Sequence, residues 1–344
     1  MTDRPSTHDA HAIQRIQDTI RAAGAEVRKR YAILAHQDAI GFGIFMFAVI
    51  GVVLSGTAYL SDDLPAWACI ALVAFFTSLL HELEHDLIHW QYFKKNKPVH
   101  HLMLLVGWVL RPGTINPWVR RKLHFLHHKT SGTEADMEER GIGNGQPYGS
   151  LRFWIMADTL GANLYRAARL APQGKRIKSM RRILLANAPF SVLTALTTYA
   201  YLGFHAIDAL AQLFSTPIEW STTTRAWESH VSHLMVILIA PFYLRSFCLN
   251  FISSNMHYYG NVHSVLEQTQ VLNAWYFWPL QLFCFNFGST HGIHPFVVGE
   301  PFYIRQLTAA KAHAVMRAEG VPFNDLRTFR RANRYEVPKR QASV

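Results

Sequence analysis

The chain has 344 residues, of which 50% are apolar and only 17% charged, against about 25% charged in an ordinary soluble domain. That balance argues against disorder, a coiled coil or a small stapled module. Cys69, Cys248 and Cys284 lie far apart, which excludes an iron–sulfur ferredoxin domain, a zinc ribbon and a disulfide scaffold. The net charge of +11 asks for nucleic acid, an acidic ligand or an anionic membrane face. Histidine is the unusual residue: of 19 in the chain, eight fall between positions 81 and 128.

In chain order, residues 1–38 are polar and carry charges of both signs, unlike a cleavable leader. Residues 39–60 (AIGFGIFMFAVIGVVLSGTAYL) are uncharged and apolar. A hydrocarbon core needs about 20 such residues as helix, so this is a first span. After the acidic turn 61–65, residues 66–80 form a second apolar stretch that runs directly into His81 and Glu82. A third span is expected near 183–205 and a fourth near 231–251, the latter interrupted by Pro241 and Arg245. Two shorter runs, 102–110 and 271–287, are rich in Trp or Phe and flanked by polar residues. They read as interfacial or re-entrant helices.

Of 34 basic residues, 32 fall in segments on one side of these four spans. The positive-inside rule makes that side cytoplasmic, with both termini on it. The same partition accounts for the net charge through contact with anionic headgroups. No nucleic-acid partner is expected, because the basic runs Arg120-Arg121-Lys122 and 175–182 abut spans and match no binding motif.

The chemistry lies in the histidines. His81, His85 and His89 recur every four residues at the end of the second span, so in a helix all three imidazoles share nearly one face. His124, His127 and His128 form a second group, and His291 and His294 a third; His257 follows Asn255 after the fourth span. All of these fall on the side assigned to the cytoplasm. Imidazole without thiolate suits iron, copper or zinc, and a polyhistidine set suits an oxygen-activating iron pair. The doublet His100-His101 lies outside these groups. Residues 81–85 also read H-E-x-x-H, the zinc-metalloprotease signature in which the glutamate is the base. An intramembrane zinc protease would need only one further ligand, leaving His124, His127, His128, His291 and His294 without a role.

HDLIH (85–89), HFLHH (124–128) and HGIH (291–294) resemble the three histidine boxes of the membrane fatty-acid desaturase and hydroxylase superfamily, over residues 40–305. HELEH and residues 255–260 also resemble the related alkane hydroxylases. HELEHDLIH, INPWVRRKLH and SSNMHYYG look most similar to bacterial desaturase-like enzymes that decarboxylate free medium-chain fatty acids to terminal alkenes. The resemblance implies an all-α integral membrane protein of four transmembrane helices with a cytoplasmic helical cap holding a di-iron site, in a bacterial inner membrane. Residues 1–38 would be a cytoplasmic segment, 39–305 the desaturase-like domain and 306–344 a basic cytoplasmic tail. The implied ligands of two ferrous ions are His85, His89, His124, His127, His128, His257, His291 and His294, with His81 as a possible ninth. Asn255, Asp136, Glu82 and Asp86, with Glu84, are candidates to orient them. The implied reaction is oxidation of a fatty acid or fatty acyl chain, or hydroxylation of an alkyl or acyl chain, with O2 as co-substrate. No cytochrome-b5 or rubredoxin segment is recognisable, so electrons are expected from a separate reductase such as a ferredoxin system. One departure stands out: the third box of the family ends His-His, whereas here Pro295 follows His294. Proline cannot ligate, so either His257 with Asn255 or a water completes the site, or one iron is weakly held.

Overall fold

A computed structural model describes residues 7–336; residues 1–6 and 337–344, with both chain termini and the end of the expected basic tail, lie outside the described residues. Local sequence sets several helix starts. Asn116 accepts from the backbone of Trp118 and Val119 with Pro117 in the first turn; Asp136, Asp158 and Ser221 cap three more helices. These short polar side chains satisfy backbone N–H groups that a first turn leaves free.

The helices are α1 (Thr7–Arg30), α2 (Gln37–Leu60), α3 (Ala66–Ile88), α4 (Lys97–Val109), α5 (Pro117–Thr130), α6 (Met137–Gly141), α7 (Ser150–Ala157), α8 (Thr159–Leu170), α9 (Arg176–Asn187), α10 (Phe190–Leu213), α11 (Thr222–Leu234) and α12 (Ala240–Met256). The short α13 (Val265–Gln268), α14 (Trp278–Leu282) and α15 (Phe287–Thr290) precede α16 (Phe302–Ala318). No strand forms among the described residues, which pair only at isolated bridges such as His257 with Thr269.

Four helical stretches are long and apolar enough to cross a membrane: α2, α3, α10 and the rod Thr222–Met256 made by α11, a π-helical turn (Met235–Ile239) and α12. The π turn directly precedes Pro241, whose missing N–H and ring force a local change in the helix ladder. Pro189 separates α9 from α10, so the third span begins at Phe190 rather than near 183. The fourth reaches beyond the stretch 231–251 at both ends. Of the two shorter aromatic runs, 102–110 lies mostly in α4, whereas 271–287 is largely irregular around α14.

One core joins α2, α3 and α4 through Phe45, Leu80, Leu83, Leu87 and Met103, and takes in Phe302 and Ile304 of α16. A second joins Ile16 and Ile20 of α1 to Ala312 and Met316 of α16 and to Ile293 and Phe296. Arg28–Glu300 at 2.6 Å and Arg15–Glu319 at 2.6 Å link the same segments. The boundary expected at 305/306 therefore falls inside a helix that packs on both the span ends and the N-terminal segment.

Candidate metal centre

The last two turns of α3, His81 to Ile88, are entirely buried, so the polar end of this span is enclosed by α5, α6, α16 and residues 287–296. His89 is its C-cap and His257 the C-cap of α12, which brings two span ends to one place. α5 supplies His124, His127 and His128; a 3-10 turn, His291–Phe296, supplies His291 and His294. Pro295 lies inside that turn.

The imidazoles fall into two adjoining groups. In the first, the Nε2 atoms of His89, His124, His128 and His294 converge. His89 lies 2.9 Å from His124, 3.3 Å from His128 and 3.1 Å from His294, and His128 lies 3.2 Å from each of the other two. His85 joins three of these in a set whose ligand atoms all lie within 4.8 Å. In the second group, the ring of His257 is 5.2 Å from that of His127 and 5.3 Å from that of His291. His85 stands between the groups, its ring 4.4 Å from His294 and 5.1 Å from His291. His81 is peripheral, its ring 5.9 Å from Phe287 and its Nδ1 3.5 Å from Arg120.

Acids from one short helix fix the rings. Asp136 caps α6 through Oδ1 and accepts from His127 Nδ1 through Oδ2 at 2.8 Å. Glu138 accepts from His124 Nδ1 at 2.7 Å. His257 Nδ1 donates to the Ser253 carbonyl at 2.9 Å and lies 3.3 Å from Glu139. Occupying Nδ1 in this way leaves Nε2 as the free ligand atom. Sequence reasoning noticed Asp136 but missed Glu138 and Glu139; the signal available was the acidic run 134–139 just after the second box.

The other expected orienting residues sit elsewhere. Asp86 accepts from Arg305 at 2.9 Å, from the Phe302 backbone at 2.8 Å and from Tyr92 at 3.0 Å, fastening α16 to α3. Its nearest approach to an imidazole is 3.8 Å, at His85. Glu82 lies 4.0 Å from Arg305, and Glu84 is held by Arg111 and Arg120. Asn255 accepts from Tyr148 at 2.6 Å and donates to the Phe251 carbonyl. His100 is occupied at both nitrogens, by the Tyr92 carbonyl at 3.0 Å and by Arg121 at 2.7 Å.

Burial and neighbouring imidazoles push His89 down to about 2 and His128 to about 3. Burial likewise brings His257 to about 4. These rings are neutral at physiological pH, the form that ligates. His127 is the exception: burial opposes its protonation, but the hydrogen bond and charge of Asp136, with Glu138 and Glu139 nearby, raise it to about 9. Burial would raise the Glu138 carboxyl, yet His124 and Arg120 hold it well below the usual range.

The fit to a metal is tested by the donors themselves. Nitrogen ligands about 2.0–2.1 Å from one ion stand roughly 3.0–3.4 Å apart, close to the 2.9–3.3 Å seen among His89, His124, His128 and His294. Buried Nε2 atoms of His81, His85 and His257 have no protein partner, an arrangement that is costly unless something else accepts them. A set of imidazoles with no thiolate suits iron, copper or zinc.

Four apolar helices closed at one end by a polyhistidine cluster define an integral membrane protein able to hold metal there. The family model for fatty acid desaturase matches residues 63–327, which include every histidine of both groups. The chain belongs to the fatty acid desaturase family, an oxidoreductase family that acts on fatty acyl chains and is generally iron-dependent. No curated protein matches the chain.

Proposed function

We propose that the protein is a non-haem di-iron oxidase of a fatty acyl chain, using O2 and two electrons from a separate donor such as a ferredoxin. The carrying observation is the convergence of four Nε2 atoms beside a second group built from His127, His257 and His291 around His85. In this reading His89, His124, His128 and His294 hold one iron. His127, His257 and His291 hold the other, with His85 between the two and His81 as a peripheral candidate.

The irons, when bound, supply the reduction of O2 and the removal of hydrogen from an unactivated C–H bond. The chain's own residues do the rest. Asp136, Glu138 and the Ser253 carbonyl aim three imidazoles; Arg305 and Asp86 close α16 over the span ends and exclude water. The apolar spans admit the alkyl chain from the bilayer. Removing two hydrogens from adjacent carbons leaves a double bond. Removing one hydrogen from the carbon β to the carboxyl of a free acid, with a second electron and the carboxyl proton as the Cα–carboxyl bond breaks and CO2 leaves, gives a terminal alkene. Both consume one O2, two donor electrons and two protons and yield two waters. Which bond reacts depends on where the acyl chain is held. In this reading both termini and the histidines lie on the cytoplasmic side of a bacterial inner membrane, a sidedness supported by the distribution of basic residues in the sequence.

The zinc-protease reading would need Glu82 as base at the metal, whereas Glu82 faces Arg305 at 4.0 Å. The test is anaerobic iron loading of purified protein. It is then incubated with fatty acids or acyl thioesters, a ferredoxin system and O2, and volatile and lipid products are identified. O2-dependent unsaturated, hydroxylated or alkene products are expected; proteolysis with one bound zinc would overturn the reading.

A further inference from the structure

Arg245 projects from α12 inside the fourth span and is 1% exposed. Its Nη2 donates to the Ser246 hydroxyl at 3.1 Å, while Nε and Nη1 have no protein partner. Among the described residues no carboxylate lies within ion-pair distance of it. Its acidic neighbour Glu84 is already held by Arg111 and Arg120. Glu138, the second partner of Arg120, is also engaged by His124. Arg111 is 1% exposed and leaves its Nη1 unpartnered as well. The three guanidinium groups Arg111, Arg120 and Arg245 thus share two carboxylates, Glu84 and Glu138, both already committed, and the buried cluster lacks one negative charge.

A guanidinium in a low-dielectric interior is strongly disfavoured without a counter-charge, and an ionisable residue within a span marks a ligand or ion site more often than a structural one. The position adds a second argument. Glu84 lies on α3 between His81 and His85, and Arg120 sits 3.5 Å from His81, so the cationic cluster abuts the histidine centre. Arg245 is about three turns before His257 in α12, and so approaches that centre from within the span.

We infer that Arg245, with its neighbour Arg111, whose Nη1 is also unpartnered, is an anion subsite that takes the carboxylate of an unesterified fatty acid. The planar guanidinium matches a carboxylate in paired hydrogen bonds. A thioester or glycerolipid offers no anion at its first carbon and leaves Arg245 unpaired. The choice of a fatty acid as the ligand rests on the oxidase reading above; the need for an anion does not.

The experiment measures binding of dodecanoate, methyl dodecanoate and dodecyl phosphate to iron-loaded protein in detergent under anaerobic conditions, by equilibrium dialysis. Wild type should bind dodecanoate at least about tenfold more tightly than the methyl ester, the increment of a charge-assisted hydrogen bond. Arg245→Met should erase that preference at unchanged iron content, and Arg245→Lys should restore part of it. The comparison of ligands on wild type alone stands even where Arg245→Met fails to fold. Equal binding of acid and ester by wild type, an undiminished preference in folded Arg245→Met, or tighter binding of dodecyl phosphate than of dodecanoate overturns the assignment. Turnover separates the two readings. Acid and ester bound and oxidised alike would leave the oxidase standing without the subsite, whereas Arg245-dependent acid binding with no oxidation would leave the subsite without the oxidase.

Discussion

At the residue scale, the acids behind the imidazoles matter as much as the imidazoles. Asp136 and Glu138 each accept one Nδ1–H, and losing such a partner typically costs about 10–100-fold in metal affinity. Asp136→Asn and Glu138→Gln should therefore retain the fold but weaken iron by that amount, measured by competition with a chelator. His127 adds a pH dependence. Its pKa of about 9 in the metal-free protein means that the ring is protonated at neutral pH, so metal must displace a proton there. Affinity at that group should rise about tenfold per pH unit from pH 7 and level off near 9. Asp136→Asn should flatten that slope, because the main group favouring the proton is gone; an unchanged slope would contradict this account. Pro295 bears on the same question. If His257 replaces the imidazole that Pro295 cannot provide, His257→Ala should cost one iron per chain, and Pro295→His should raise iron retention. A tolerated His257→Ala together with an intolerant His81→Ala would transfer the role to His81.

At the scale of elements, span packing and metal binding should be separable. Gly51 of α2 faces α3, and a Cβ there would overlap the Phe76 ring, so the helices approach at a glycine as small residues allow. Gly51→Val should destabilise by about 1–3 kcal/mol, read as a lowered Tm in detergent, with iron per folded chain unchanged. Gly43, with open space around its Cβ position, should accept alanine at no cost. The elements also differ in how legible they were. Apolar length located all four spans, because the bilayer demands it, even though Pro241 and Arg245 interrupt the fourth. Their ends were less clear, since Pro189 and the π turn before Pro241 act through backbone geometry that composition does not register. The pairing of Asp86 with Arg305 of α16 spans 219 residues, and no local pattern announces it.

At the scale of the molecule, the four-span arrangement with the histidines at one end predicts the sidedness of every loop. Reporter fusions after Asp63 or Ser215 should signal from the far side of the membrane, and one after Ser150 from the side of the histidines. A signal from the histidine side at Asp63 would overturn the arrangement. The histidine boxes were legible because four-residue spacing in a helix places imidazoles on one face. The division into two groups was not, since it depends on how α3, α5, α12 and residues 291–294 meet in space. Nor was the function of His100, which looks like a ligand by type but is saturated by Tyr92 and Arg121.

The central claim is that this cluster holds an iron pair, and metal analysis of anaerobically purified protein tests it most directly. The account predicts about two irons per chain, reduced by His128→Ala, whose Nε2 lies in the converging set. A single tightly bound zinc, or a chain that binds no iron while folded, would contradict it.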